Sequence, residues 1–264
     1  MKRFEHRRAT RAVGLALGLA LAAAPIAAAE SDARAVKVAE DVMKALGGKE
    51  AWDKTRYVRF DFGFEREGKL VTRAHTWDKW TGRYRLEGQD QQGQPFVVLM
   101  NVNTKDGQAW VNGQRQSGDA EKKLVERAYG TWINDTYWLL MPYKLRDPGV
   151  TLAYDGEAKE GNATYDKILL TFDNVGLTPK DKYWVWVNRD TRLVDRWDFV
   201  LKGEDVPPTT FRWTDWKTVG KVKLAGERVN PKDNRKLVFP VLETPATLPD
   251  SVFTSHEPVR GSGS

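Results

Sequence analysis

Trp132-Ile133-Asn134-Asp135-Thr136-Tyr137-Trp138-Leu139-Leu140-Met141-Pro142-Tyr143-Lys144-Leu145 is the stretch on which the reading of the fold turns. Its apolar residues neither alternate nor favour β-branched types, as those of a strand would. Asn134 and Asp135 are good N-cap residues and Pro142 cannot continue a helix, which predicts a short helix from about Asp135 to Met141. Tyr137, Trp138, Leu139, Leu140 and Met141 then point in every direction around its axis. A helix that is apolar all round must be covered all round. The rest of the chain is expected to wrap it.

Working outward, Ser117 to Tyr129 predicts a separate amphipathic helix just upstream, and strands flank the pair on both sides. Upstream, Tyr57 to Arg66 places Val58, Phe60, Phe62 and Phe64 on one face, with Tyr57, Arg59, Asp61 and Glu65 among the alternates. Leu70–Trp77, Arg83–Glu87, Phe96–Val102 and Ala109–Val111 follow, the third of these apolar on both faces as a covered strand would be. Glu67-Gly68 and Asp106-Gly107 are turn signals between them. Downstream, strands are predicted at Val150–Tyr154, Tyr165–Phe172, Tyr183–Val187, Leu193–Leu201, Thr210–Trp216, Val222–Val229 and Leu237–Leu242. A further helix runs from Glu30 to Gly48, with Val36, Val38, Ala39, Val42, Met43 and Leu46 in its apolar stripe and Gly47-Gly48 as its stop.

The pattern is mainly β: about eleven short strands in a single curved antiparallel sheet, expected to form an unclosed half-barrel. The N-terminal helix and the short helices would lie in or over its concave face. No repeat or long polar linker divides the chain. One domain, residues 30–258, is expected, followed by a flexible tail at 259–264.

Residues 1–29 read as a cleavable signal peptide. Lys2, Arg3, Arg7, Arg8 and Arg11 form a basic head, Val13 to Ala24 an apolar run, and Ala27-Ala28-Ala29 a cleavage site. Removing five basic residues and one acidic residue lowers the formal net charge from +6 to about +2, too little to suggest nucleic-acid binding. The chain has no cysteine, so neither a disulfide nor a lipid-bearing N-terminal cysteine is expected. These features predict an exported, periplasmic, unanchored monomer.

The aromatic load is heavy, with 11 Trp, 10 Phe and 8 Tyr, and most of it alternates along strands. Each residue taken alone fits a core or cross-strand role. Taken together, a curved sheet with an aromatic concave face and an apolar helix laid into it makes a lidded cavity for apolar ligands. With the Phe60 face inward, the candidate ligand-binding residues are Phe60, Phe62, Phe64, Tyr84, Leu86, Tyr137, Trp138, Met141, Trp186, Trp197, Phe199 and Trp213. Enzyme signatures are missing. His75 and His256 stand 181 positions apart without ligand-spaced partners, and no phosphate-binding, zinc-protease or serine-hydrolase motif occurs. No cofactor, metal or catalytic residue is predicted.

The order of elements resembles the periplasmic outer-membrane lipoprotein-sorting (LolA/LolB-like) family. Trp77-Asp78-Lys79-Trp80-Thr81-Gly82-Arg83-Tyr84-Arg85 is similar to that family's strand of tryptophan, basic residue, Arg-Pro and aromatic. Asn103-Thr104-Lys105-Asp106-Gly107-Gln108-Ala109-Trp110-Val111 resembles its Asp-Gly-Lys-x-Trp hairpin, and Leu248-Pro249-Asp250-Ser251-Val252-Phe253-Thr254 its closing Phe-Thr-x-x-Pro segment. The resemblance implies an unclosed barrel with a helical lid, carrying lipid or lipoprotein acyl chains between transient membrane-protein partners. The family's lid-latching arginine falls on Trp80 here and its following proline on Thr81, so that role is not transferred. Two other readings stand beside the carrier. One is an extracytoplasmic carbohydrate-binding or hydrolytic β protein, which would place its aromatics on an open rim beside paired carboxylates. The other is an assembly factor whose concave face is filled by its own side chains.

Overall fold

The computed structural model describes residues 30–66, 69–173, 180–203, 205–257 and 259; the expected signal peptide and most of the expected tail lie outside them. Strand β1 (Tyr57–Arg66) lies at the centre of one 14-stranded antiparallel sheet. On one side the chain meanders outward through β2 (Lys69–Asp78), β3 (Arg83–Gln89), β4 (Pro95–Asn101), β5 (Gly107–Val111) and β6 (Gln114–Arg115). A second meander runs inward from β7 (Val150–Glu160) through β8 (Ala163–Phe172), β9 (Lys182–Asn188), β10 (Val194–Val200) and β11 (Thr209–Val219) to β12 (Val222–Val229). Strands β13 (Lys236–Val238) and β14 (Leu242–Glu243) close the seam against β1. The edges, β6 and β7, do not pair, so the curved sheet stays open.

Period-two alternation decides which side chains meet. One row crosses the first meander as Phe60, His75, Leu86, Val98 and Ala109, each opposite the next in register. A matching row crosses the second as Ile168, Val185, Trp197 and Phe211. All nine are buried, and the helices pack onto this face. Expected strands fall within a residue or two of the observed ones, apart from a longer β7 and β11, the short β6 and the division of Leu237–Leu242 into β13 and β14.

Helix α1 (Ala33–Ala45) starts on Asp32, whose carboxylate accepts from the backbone N–H of Arg34 (2.7 Å) and Ala35 (3.1 Å). It buries Ala35, Val38, Ala39 and Val42. Gly47 and Gly48 end it as expected, their N–H groups returning to Lys44 and Met43 carbonyls. Helix α2 (Lys49–Lys54) was not legible: it buries no residue fully, and its short charged surface carries no periodic signal.

The helical insertion corrects the sequence reading. The two expected helices are one, α3 (Gly118–Leu140), followed by a 3₁₀ turn at Met141–Tyr143. At about 1.5 Å per residue it is roughly 35 Å long and crosses both meanders. Asn134 and Asp135 are not caps. Asp135 sits mid-helix with its carboxylate held by residues of the sheet, as described below, so it has no need to turn back on its own backbone.

The outer side of β4 is covered too, as its two apolar faces require. Helix α4 (Ser251–Thr254) and the segment after it lie over β3 and β4. The buried Arg85 fastens them by donating to the carbonyls of Val252 (3.1 Å), Ser255 (2.6 Å) and Glu257 (2.6 Å). His256 stacks on Trp110 with ring centres 5.3 Å apart.

Candidate ligand-binding face

The last turn of α3 drives Tyr137 and Trp138 into the aromatic half of the sheet. Trp138 meets Trp197 edge-on at 4.6 Å and Phe211 at 5.0 Å, while Tyr137 lies 5.5 Å from Tyr183. Trp197 in turn meets Trp213 at 5.4 Å and Phe199 at 5.5 Å. Ring centres at these separations, mostly crossed or tilted, are the favourable geometry for quadrupoles. Four polar atoms inside this cluster have no hydrogen-bond partner among the described residues: Nε1 of Trp197, of Trp213 and of Trp216, and the hydroxyl of Tyr137. Burial raises the Tyr137 phenol well above its ordinary pKa, so it stays a neutral donor. Each unmet buried donor costs roughly 1–3 kcal/mol, which phenylalanine at the same position would avoid.

Two polar clamps hold α3 on the sheet. The first is built on Asp135, fully buried beneath the helix. Arg73 of β2 donates to its Oδ1 from 3.0 Å and stands 2.9 Å from its Oδ2 as an ion pair, and Asn134 donates from 2.8 Å. His75 brings Nε2 to 3.1 Å from the same carboxylate, off the line of a well-formed hydrogen bond, and its Nδ1 lies 2.7 Å from the Tyr84 hydroxyl. Phe60 stacks on the imidazole at 4.2 Å with the rings 4° from parallel. Burial lowers the His75 pKa, against the opposing pull of Asp135, so the ring is neutral at pH 7. A neutral ring that accepts from Tyr84 carries its proton on Nε2, facing Asp135.

The second clamp is Arg228 of β12, which is 0% exposed and has no carboxylate partner among the described residues. Its Nε and one terminal nitrogen donate to the Trp138 carbonyl at 3.0 and 2.8 Å, and the other terminal nitrogen serves Ala225 and Glu227. The guanidinium lies 3.5 Å over the Trp213 ring. A cation at the carbonyl end of α3 meets both its orphan acceptors and its dipole.

Of the expected residues, Tyr137, Trp138, Met141, Trp197, Phe199 and Trp213 come together around the end of α3, and Phe60 and Phe62 share that core. Tyr84 and Leu86 belong to the smaller core beneath the middle of α3, and Phe64 packs against the larger one. Trp186 does not join them. It pairs across from Arg196, between the buried Val185 and Val187, and therefore points to the outer face. There its indole donates to Asp198 at 2.8 Å and Arg196 lies 4.2 Å over its ring. Trp80, where the latching arginine would fall, is 61% exposed, and Arg83 pairs with Asp78 and Asp250 away from the helix. Sequence reading missed Arg73, His75, Asp135 and Arg228. A buried charge in an apolar row is a signal, but its partner, 62 or 90 residues away, leaves none.

No family model matches the chain, and no curated protein matches it. Solved structures do, at low identity. A LolA superfamily protein from Nitrosomonas europaea is 12% identical over 81% of this chain and 97% of its own, with a TM-score of 0.45. An outer-membrane lipoprotein-sorting domain from Vibrio parahaemolyticus is 9% identical over 83% and 96%, also at 0.45. A DUF1329 family protein from Desulfovibrio piger is 13% identical over 83% and 96%, at 0.46. Likenesses this distant carry no functional weight, and the reading below rests on side chains.

No group of three or more potential metal ligands occurs among the described residues, and none of their helices is long and apolar enough to cross a membrane.

Proposed function

We propose that this chain is a periplasmic carrier, exported by the signal at residues 1–29, whose domain at 30–258 takes up the acyl chains of lipids or lipoproteins. The uptake site is the aromatic face under the end of α3, and the protein performs no chemistry on its cargo. One observation carries the reading: the aromatic cluster keeps four unmet donors beneath a helix end held by polar clamps. Ester or amide carbonyls at the head of an acylated cargo are acceptors suited to those donors. Each methylene removed from water contributes about 0.8 kcal/mol, so no charged anchor is needed. The aromatics face the covered interior and not an open rim, which favours this reading over a sugar-binding one.

Native mass spectrometry of the mature protein from its host periplasm, followed by lipid extraction, tests the proposal. The expected result is a co-purifying acylated species that is lost from a folded Trp138→Asp variant. A folded protein that carries nothing and ignores added phospholipids and acylated peptides would refute it.

A further inference from the structure

Near the open β7 edge of the sheet, three guanidiniums converge on one buried carboxylate. Arg34 comes from the first turn of α1, and Arg189 and Arg192 from the turn between β9 and β10. Arg189 donates to Asp166 of β8 at 2.7 and 3.1 Å and Arg192 at 3.1 Å, while Arg34 stands 3.9 Å away. The Tyr154 hydroxyl donates to the same carboxylate at 2.9 Å, and its ring carries the Arg34 guanidinium 3.7 Å above it. A register shift in β7 sets Glu157 opposite Asp166, where it meets Arg34 at 2.9 Å and Arg189 at 2.5 Å.

The charges do not balance. Against the upward push of burial, hydrogen bonds from Arg189 and Tyr154 hold the Asp166 pKa below its ordinary value, and Arg189 and Arg34 lower that of Glu157. Both acids are therefore ionised, and three positive charges face two negative ones. Asp32 caps α1 and Asp190 lies in the same turn as Arg189, but neither forms an ion pair with the three arginines.

Two of these arginines stand where local structure disfavours them. A cation in the first turn of a helix opposes its dipole, yet Arg34 is there. Arg192 has φ +57°, left-handed backbone that glycine adopts freely and arginine does not. Broken local rules mark positions kept for what the side chain does. Nε and Nη1 of Arg34, Nη1 of Arg189, and Nε and Nη2 of Arg192 make no hydrogen bond among the described residues. The three side chains are 55, 30 and 40% exposed, so these donors are open to an incoming group. A phosphate offers oxygens in several directions and suits planar forks arriving from three sides better than a carboxylate does.

We infer that Arg34, Arg189 and Arg192 form a surface site for a phosphate group, either free or carried on a lipid headgroup. The inference stands on this cluster and does not depend on the carrier reading.

Isothermal titration of the mature protein with inorganic phosphate at constant ionic strength tests it, alongside co-sedimentation with vesicles of phosphatidylcholine, with and without phosphatidylglycerol. The variants are Arg192→Gly, Arg34→Gln and, as a control of equal charge change, Arg127→Gln on the exposed side of α3. Glycine suits the backbone at position 192, so the urea midpoint of Arg192→Gly is expected to stay close to the wild type. The wild type is expected to bind phosphate in one or both forms, about tenfold more weakly in Arg192→Gly and in Arg34→Gln, and unchanged in Arg127→Gln. Binding of inorganic phosphate identifies a free ligand, and binding confined to phosphatidylglycerol vesicles identifies a headgroup. If neither probe binds, or if Arg127→Gln weakens binding as much as the other two, the site is overturned. A lowered urea midpoint in Arg192→Gly with binding unmoved would show the arginine to be purely structural and overturn it as well. None of these outcomes touches the carrier reading, which stands or falls on the co-purified acyl cargo.

Discussion

Replacing Asp135 by alanine removes the acceptor on which the middle of α3 is fastened. Arg73 loses contacts of 2.9 and 3.0 Å, Asn134 one of 2.8 Å, and His75 the carboxylate beside its Nε2. Breaking a buried ion pair from one side costs about 3–5 kcal/mol, chiefly because the surviving charge is stranded. Arg73 keeps 27% of its side chain exposed and can recover some hydration, which places the expected loss near the lower end, at about 3 kcal/mol. The loss is read as a lowered urea midpoint at unchanged slope, followed by tryptophan fluorescence. A double variant, Arg73→Met with Asp135→Leu, removes both charges and is expected to lie closer to the wild type than Asp135→Ala does. A single-variant cost under about 1 kcal/mol, or a double-variant cost equal to the sum of the two singles, would refute the reasoning.

His75 makes stability depend on pH. Its unfolded pKa is about 6.5 and its folded value lies lower, so below that pH the unfolded chain binds a proton that the folded chain refuses. Stability therefore falls as pH drops from about 6.5 toward the folded pKa, by at most about 1.4 kcal/mol per unit, and the urea midpoint of His75→Phe is expected to fall less steeply across that window. Gly47 has φ +113°, and a Cβ there would lie 2.3 Å from the Lys221 carbonyl oxygen. Gly47→Ala is expected to cost roughly 1–3 kcal/mol in the same titration, whereas Gly48→Ala, at φ +88° with nothing within 4 Å, carries backbone strain alone and costs less.

The sheet was legible because its strands are half-buried, and half-burial writes itself into the chain as alternation. Val58, Phe60 and Phe62 declare their face without any knowledge of a partner. The same rule places Trp186 opposite to Trp197, but only once register is known: each strand shows two faces, and sequence does not say which of them the neighbouring strand shares. The break expected inside α3 had a different cause. Asn and Asp favour caps because their side chains compete for nearby backbone groups. At Asp135 a stronger competitor, Arg73, comes from β2, and local chemistry is overruled by a contact 62 residues away. The clamps escaped notice for the same reason.

Arg228 decides whether α3 is a gate or only a strut. For the carrier reading, the end of the helix must leave the aromatic face when cargo enters. The apolar part of that exchange nearly cancels, because an acyl chain re-covers the rings that Trp138 and Leu139 vacate. What remains is the cost of parting the polar clamps, and Arg228 holds the Trp138 carbonyl with two donors. Arg228→Met keeps a long side chain over Trp213 and leaves that carbonyl unmet, so the closed state loses about 1–2 kcal/mol and the variant is less stable in urea. If closure competes with cargo, the same loss shifts the population toward the open form and tightens apparent binding of an acylated peptide by up to roughly thirtyfold. A less stable variant that binds more tightly is the signature of a gate. If affinity instead falls with stability, the helix end belongs to the permanent core, and cargo uptake under α3 is excluded.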